Sequence, residues 1–328
     1  MTEKLLSAVA AATLFLFALP WAHAPVHAQS YPVRPIRIVV PFPPGGTSDI
    51  LARSIGQKLA EEWGQQVLTD NRPGAAGNIA SENVARSKPD GYTLYINTVG
   101  THAINPAIYA KLTFDPIKDF TPITNLVNLP SVLLVHPSVP VKSVKELIAL
   151  ARKRPGELQY SSAGSGAQPH LTAEMFKTMA GVNLLHVPYK GAGPQMIGLL
   201  SGEVALTFAT APSGVPYVKN GQLRALGVTS ASRIPALPQV PTIAEAGVPG
   251  YEAVGWNGMV APAAMPAPIL EKIHDAVVKV IQLPDLRERL TGLGAELSPS
   301  TPDQFSALMK SEIVKWAKVV KDSGARLD

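Results

Sequence analysis

Ile36-Arg37-Ile38-Val39-Val40-Pro41-Phe42-Pro43-Pro44-Gly45-Gly46-Thr47-Ser48-Asp49 is the stretch on which the fold turns. The apolar run of Ile36, Ile38, Val39 and Val40 predicts a buried strand. Prolines and glycines end it, and Ile50-Leu51-Ala52 opens a helical pattern that reaches Trp63. Gly45 and Gly46 lack a Cβ, so the turn can take positive φ and let a ligand approach the backbone. The unbonded N–H groups of the helix's first turn, with the Thr47 and Ser48 hydroxyls beside them, then face the carboxyl end of the strand. An anion suits that position.

The rest of the chain supports a large exported protein. Its 328 residues, 46% hydrophobic and 16% charged, suffice for a buried core and more than one domain. Lys4, the apolar stretch Leu5 to Leu19 and the small residues around Val26-His27-Ala28 have the three-part pattern of a secretory signal over residues 1–28, so the mature chain is expected to start at Gln29. No other stretch is long and apolar enough for a helical membrane span. Cysteine is absent, which excludes disulfides, Cys nucleophiles, Cys zinc sites and a lipid anchor on Cys. The net charge of +5 is spread thinly and aromatics are 6%, without the basic face and stacking residues of a nucleic-acid binder.

Downstream, strand and helix signals alternate. Gln66-Val67-Leu68 reads as a strand, Asn71 to Asn78 as a loop, Ile79 to Arg86 as a helix and Tyr92 to Ile96 as a strand that ends in the polar loop Asn97 to His102. This βαβαβ order predicts a parallel sheet covered by helices. Phe120 to Pro137 is a long extended segment. A second set then follows: a helix opened by the Ser143-Val144-Lys145-Glu146 capping box, strands at Leu158–Ser162, Asn183–Val187, Val204–Phe208 and Leu223–Thr229, and Gly-rich loops at Ala163–Gly166 and Gly191–Gly193. Tyr251 to Pro262 is another extended crossing. Helices are expected at Ile269–Ile281, Leu286–Leu293 and Phe305–Val320, the last with an apolar stripe at helical spacing.

The chain is therefore expected to form two α/β lobes, residues 29–127 plus 254–328 and residues 128–253, joined by a two-crossover hinge with a central cleft. Ligands of open α/β sheets sit beyond the carboxyl ends of the strands, which places the site between the lobes.

Pro41 to Asp49 with Ala52-Arg53, Asn71-Arg72-Pro73-Gly74, Gly77-Asn78, Pro89-Asp90-Gly91-Tyr92 and Asp119-Phe120 resembles the N-terminal lobe of the Bug family, the TctC-like solute receptors of tripartite tricarboxylate transporters. Ser161 to Gly166 with His170-Leu171, His186 to Gly191, Pro241 to Gly247, Trp256-Asn257-Gly258 and Ala261-Pro262 extend the resemblance over the mature chain. One departure is visible: Ala261-Pro262-Ala263-Ala264-Met265-Pro266 stands where the family commonly has Ala-Pro-Ala-Gly-Thr-Pro. The resemblance implies a type II periplasmic-binding-protein fold of the α/β class and a monomer in the periplasm. It also implies a small organic carboxylate as ligand, no cofactor, and membrane components of a tripartite transporter as partners.

By that resemblance the ligand site takes Phe42, Gly45, Gly46, Thr47, Ser48 and Asp49 from the first loop, with Asn78 nearby. Thr98, Gly100, Thr101 and His102 come from the second loop, and Ala163, Gly164, Ser165, Gly166, His170, Tyr189, Lys190 and Thr210 from the second lobe. Asp49 is expected to fix its own helix start rather than touch an anion. His170 serves either the ligand or its own helix start, and Lys190 either the ligand or solvent. A sensor receptor of the same fold is the alternative role. An enzyme is disfavoured: Gly-x-Ser-x-Gly, His-Glu-x-x-His and Walker patterns are absent, and the candidate loops hold no paired carboxylates.

Overall fold

The computed structural model describes residues 31–325. The expected signal segment, residues 1–28, lies outside the described residues. From Arg34 onward the chain forms one compact unit. The elements run β1 (Ile36–Val40), α1 (Thr47–Trp63), β2 (Val67–Asn71), α2 (Asn78–Ala85), β3 (Thr93–Thr98), α3 (Asn105–Ile108), β4 (Phe120–Val135), α4 (Val144–Lys153), β5 (Gln159–Ser162), α5 (Gln168–Ala180), β6 (Leu185–Pro188) and α6 (Ala192–Leu200). They continue with β7 (Leu206–Thr210), α7 (Ala211–Lys219), β8 (Arg224–Val228), β9 (Val254–Pro262), α8 (Ala267–Ile281), α9 (Pro284–Gly292), β10 (Glu296–Leu297) and α10 (Pro302–Ser323).

The strands follow the path β2-β1-β3-β9-β4-β7-β5-β6, with β8 and β10 paired to β4 off that path. β1 is parallel to β2 and β3, as the βαβαβ order predicts. The sheet is nonetheless mixed, because β9 returns antiparallel to both β3 and β4. β4 then pairs antiparallel with β7 and β8, and β5, β6 and β7 are parallel. Proline rarely occurs inside a sheet because it cannot donate to the ladder, yet β4 contains two. Pro122 adjoins an irregularity in the β9 register. Pro130 is the last residue paired with β9, and Ser131 is the first paired with β7. Its missing N–H falls where the neighbouring strand changes.

Several elements differ from the expected ones for local reasons. Residues 97–102 are not simply a loop: β3 extends to Thr98 and Gly100–Ile104 is a turn of π-helix. The helix α7 follows a strand end where none was expected. Pro212 falls in its first turn, where a missing N–H costs nothing, and Pro216 inside it hides the helical pattern. Ser143 caps α4 as the capping box predicts, accepting from the Glu146 N–H, while the Glu146 carboxylate accepts from Lys142 N–H at 2.7 Å.

The core is divided into separate clusters, the larger of which holds Phe208, Trp256 and Trp316 and another Val132, Leu134 and Val215. Phe305, Met309, Trp316 and Val320 of α10 are all buried, and Phe305 meets Trp256 of β9 edge-on at 5.4 Å between ring centres. Gly258 is required there: a Cβ on it would lie 2.0 Å from Phe305 Cζ. His102 is fully buried between Tyr95, Phe114 and Phe120, with its Nδ1 3.0 Å from the Thr101 hydroxyl.

Ala264, which stands where the resembling family commonly has glycine, adopts a φ of 64°. The left-handed conformation costs a residue with a Cβ about 1–2 kcal/mol, and glycine's freer unfolded chain returns about 0.4–1 of that. Ala264→Gly should therefore raise the unfolding free energy by roughly 0.5–1 kcal/mol in urea. An unchanged or lower midpoint would refute the strain.

Burial lowers the His102 pKa to about 3, against about 6.5 in an unfolded chain. Between those values the unfolded state binds the extra proton, so stability falls as pH drops through that window. Removing this histidine with His102→Leu should reduce the slope of unfolding free energy against pH, between pH 4.5 and 6, by up to about 1.4 kcal/mol per unit. An identical slope would show that His102 is not the group titrating.

Candidate functional site

A cavity, partly open to solvent, lies where strand ends and helix starts meet. Its wall takes Gly46, Thr47, Ser48 and Asp49 from the start of α1, and Ala167, Gln168 and Pro169 from the start of α5. Gly191, Ala192, Gly193, Pro194 and Gln195 come from the start of α6, and Thr210 and Ser213 from the start of α7. Four helices thus point their N-termini at one space. Each presents first-turn N–H groups without an intrahelical acceptor and a partial positive charge of about half a unit. Among the described residues, no Lys, Arg or His lines the wall.

The first loop is built around Asp49. Its carboxylate accepts from Gly45 N–H at 3.0 Å, from Arg53 Nε at 3.0 and 3.1 Å and from Asn71 Nδ2 at 3.1 Å. Asn71 also donates to the Phe42 carbonyl, closing the turn onto β2. Burial pushes the Asp49 carboxyl up, but its hydrogen bonds to Arg53, Gly45 and Asn71 outweigh this and hold it below the usual carboxylate range. Gly45 has φ of 89° as the turn demands. Gly46 does not: its φ of −84° and ψ of 171° are extended.

Hydroxyls line the wall in defined orientations. Asn257 Nδ2 donates to Ser48 Oγ at 2.8 Å, which leaves the Ser48 proton free for the cavity. Thr210 Oγ1 donates to Ser213 Oγ at 3.1 Å, so Thr47 Oγ1, 3.3 Å from Thr210 Oγ1, is the donor in that pair. The Ser213 proton is left for a ligand. Phe42, Pro43, Pro44, Val99, Leu129, Pro169 and Pro194 supply apolar surface between the polar groups.

Of the residues expected at the site, Phe42, Gly46, Thr47, Ser48, Asp49, Thr98, Gly100, Ala163 and Thr210 line this cavity. The others stand behind it or away from it. Gly45 gives its N–H to Asp49. Asn78 accepts from Asn105 Nδ2 at 2.6 Å. Thr101 is fully buried, donates to the Thr98 carbonyl and accepts from its N–H. His102 faces the aromatic core rather than the cavity. Gly164, Ser165 and Gly166 form the loop behind Ala163, and His170 accepts from Gly166 N–H. Lys190 is exposed. Tyr189 lies over Gly198, where a Cβ would come 2.3 Å from its hydroxyl oxygen.

Sequence reading does not single out Leu129, Gln168, Gln195 or Ser213, and Asn257 enters it only within the Trp256-Asn257-Gly258 motif. Gly191 was quoted only as part of a motif, although its position before a helix is the signal that also marked Gly46. Ser213 was hidden with α7, and Leu129 and Asn257 sit inside strands, where nothing local distinguishes a wall residue from a core one.

The chain matches the model of the tripartite tricarboxylate transporter family receptors over residues 51–325. It is 35% identical to protein BugT of Bordetella pertussis over 305 residues, 93% of this chain and 94% of that protein. Among solved structures it is similar to R. palustris Rpa4515 with adipate, at 42% identity and a TM-score of 0.88, covering 90% of this chain and all of that one. It is also similar to MatC from Rhodopseudomonas palustris with bound malate, at 35% identity and a TM-score of 0.84, covering 88% and 100%.

Asp49→Ala removes the acceptor that holds Gly45, Arg53 and Asn71 together. It should cost about 2–3 kcal/mol of stability in urea and weaken any ligand bound at the α1 start. Loss below 0.5 kcal/mol would show that the turn is held by other contacts.

Proposed function

Since the chain belongs to the tripartite tricarboxylate transporter family of receptors, whose members bind solutes rather than transform them, we propose that it captures a small organic carboxylate in this cavity and delivers it to the membrane components of such a transporter. The convergence of four helix N-termini on a wall without cationic side chains carries this reading. Charge-assisted hydrogen bonds contribute roughly 1.5–3 kcal/mol each and a helix N-terminus up to about 2. Micromolar binding needs about 8 kcal/mol net, which a few such donors at each end of a dicarboxylate supply in a preformed site.

Residues 29–127 with 254–328 form one lobe in this reading and residues 128–253 the other, with β4 and β9 as the crossings and closure over the ligand. The pairing of one half of β4 with β9 and the other with β7 and β8 supports the division. We place the mature receptor in the periplasm as a monomer. Adipate and malate in the relatives' structures point to aliphatic dicarboxylates. Asp49, the one acid of the wall among the described residues, is engaged by Arg53 and Asn71, so an α-amino group would enter unpaired at a cost of several kcal/mol.

Thermal unfolding of the purified protein, stripped by denaturation and refolding, tests this against dicarboxylates, amino acids, sugars and phosphate. Adipate or malate at a hundred times its dissociation constant should add about 2.7 kcal/mol and move the midpoint by several degrees. Glutamate and aspartate should shift it far less, and Gly46→Trp should abolish the shift. Stabilisation by sugars or phosphate but by no carboxylate would overturn the assignment.

A further inference from the structure

Behind Ala163 lies a column of rings that the cavity does not touch. His170 of α5 and His186 of β6 stack at 4.1 Å with planes 8° apart, and Tyr160 of β5 stacks on His186 at 4.9 Å. Both imidazoles hold the loop that closes this side of the cavity. His170 Nδ1 accepts from Gly166 N–H at 3.1 Å. His186 Nε2 lies 2.6 Å from Ser162 Oγ, which accepts from Gly164 N–H and donates to the Gly164 carbonyl. Gly164 and Gly166 have φ of 131° and 80°, conformations that only glycine holds easily, so the loop depends on these two anchors.

The His170 anchor works only with a neutral ring, whereas His186, which gives its Nε2–H to a Ser162 hydroxyl whose own proton goes to the Gly164 carbonyl, keeps its bond in either state. A proton on His170 Nδ1 would oppose the Gly166 N–H donor to donor and put a cation on the face of His186. Facing the pair are Glu174 and Lys177 of α5 and Tyr160 of β5. Glu174 Oε1 accepts from the Tyr160 hydroxyl at 2.5 Å and from Lys177 Nζ at 2.8 Å, and stands 3.9 Å from His170 Nε2. Its charge is thus shared with Tyr160 and Lys177; it still favours a proton on His186, but burial outweighs it. Burial, then Lys177, lowers His170 to about 4. Burial, then the charge of His170, lowers His186 to about 4.

We propose that His170 and His186 are positioning residues for ligand capture, which as a neutral stacked pair fix the Ala163–Gly166 loop against the cavity and so set the affinity of the site. The role in affinity rests on the receptor reading; the hold on the loop does not.

Amide NMR of the purified 15N-labelled protein between pH 7.5 and 3.5 separates the two. In the wild type the Gly166 and Gly164 signals should stay fixed to about pH 5 and move together below it. His170→Leu should displace both signals at every pH. His170→Asn, which keeps an acceptor but does not titrate, should restore them at neutral pH and remove the acid movement of Gly166. Lys177→Met takes a cation from beside His170 and frees Glu174 to pair with it, so the acid midpoint should rise by about one unit. A purely structural role would leave that midpoint in place.

Adipate is the probe for the second half: His170→Leu should weaken its binding at pH 7 roughly tenfold, and His170→Asn should restore it. Loop signals in His170→Leu that coincide with wild type, or a midpoint unmoved by Lys177→Met, overturn the hold on the loop. Displaced signals with unchanged adipate affinity overturn the role in capture. If the wild type binds no adipate or other carboxylate, the receptor reading fails while the amide signals still decide whether the imidazoles hold the loop.

Discussion

The backbone of β4 must satisfy its hydrogen bonds with different partners along its length, and the rest of the sheet is arranged to meet that demand. Asn128 lies between Trp256 of β9 and Glu296 of β10, whereas Leu133 lies between Phe208 of β7 and Gly227 of β8. A buried strand with an unpaired edge would cost free energy at every orphaned group. Two otherwise separate parallel strand sets are therefore sewn to one ribbon. Pro130, unable to donate, occupies the place where the partners change. The strand ends of both sets consequently face the same space, and the helices that follow them start there.

From this topology comes a cavity whose polar wall is built largely from helix N-termini. A cationic side chain would attract an anion more strongly at a point, but it would carry a desolvation cost in an enclosed wall. Helix N-termini are already part of the fold, and their N–H groups cannot swing away. What the side chains add is direction: Asn257 turns the Ser48 proton outward, and Thr210 passes the hydrogen-bond chain to Ser213.

Much of this was legible in the sequence where local chemistry decides it. The Pro41 to Asp49 turn, the cap of α4 and the α10 stripe followed from spacing and residue type, and the loops at strand ends followed from glycine and proline. Asp49 anchors its own helix start, for a carboxylate in a first turn finds N–H and guanidinium donors nearby. Legibility ended where long-range packing decides. His102 and Thr98 stand close in sequence, in a run of polar residues, and only the aromatic core that surrounds the histidine distinguishes them. Antiparallel β9 beside β3 was likewise invisible, because strand order depends on partners far away in the chain.

The two strands that end the sheet path are β2 and β6, of five and four residues. An outermost strand offers unpaired amide and carbonyl groups that could template a second copy of the chain. Here one is polar along Thr69, Asp70 and Asn71, with Asp70 joined to Arg37 and Arg72. The other ends at Pro188, which cannot donate. Short, charged or proline-stopped margins give an intruding chain little length to pair with. These two margins are thereby poor templates for a growing polymer.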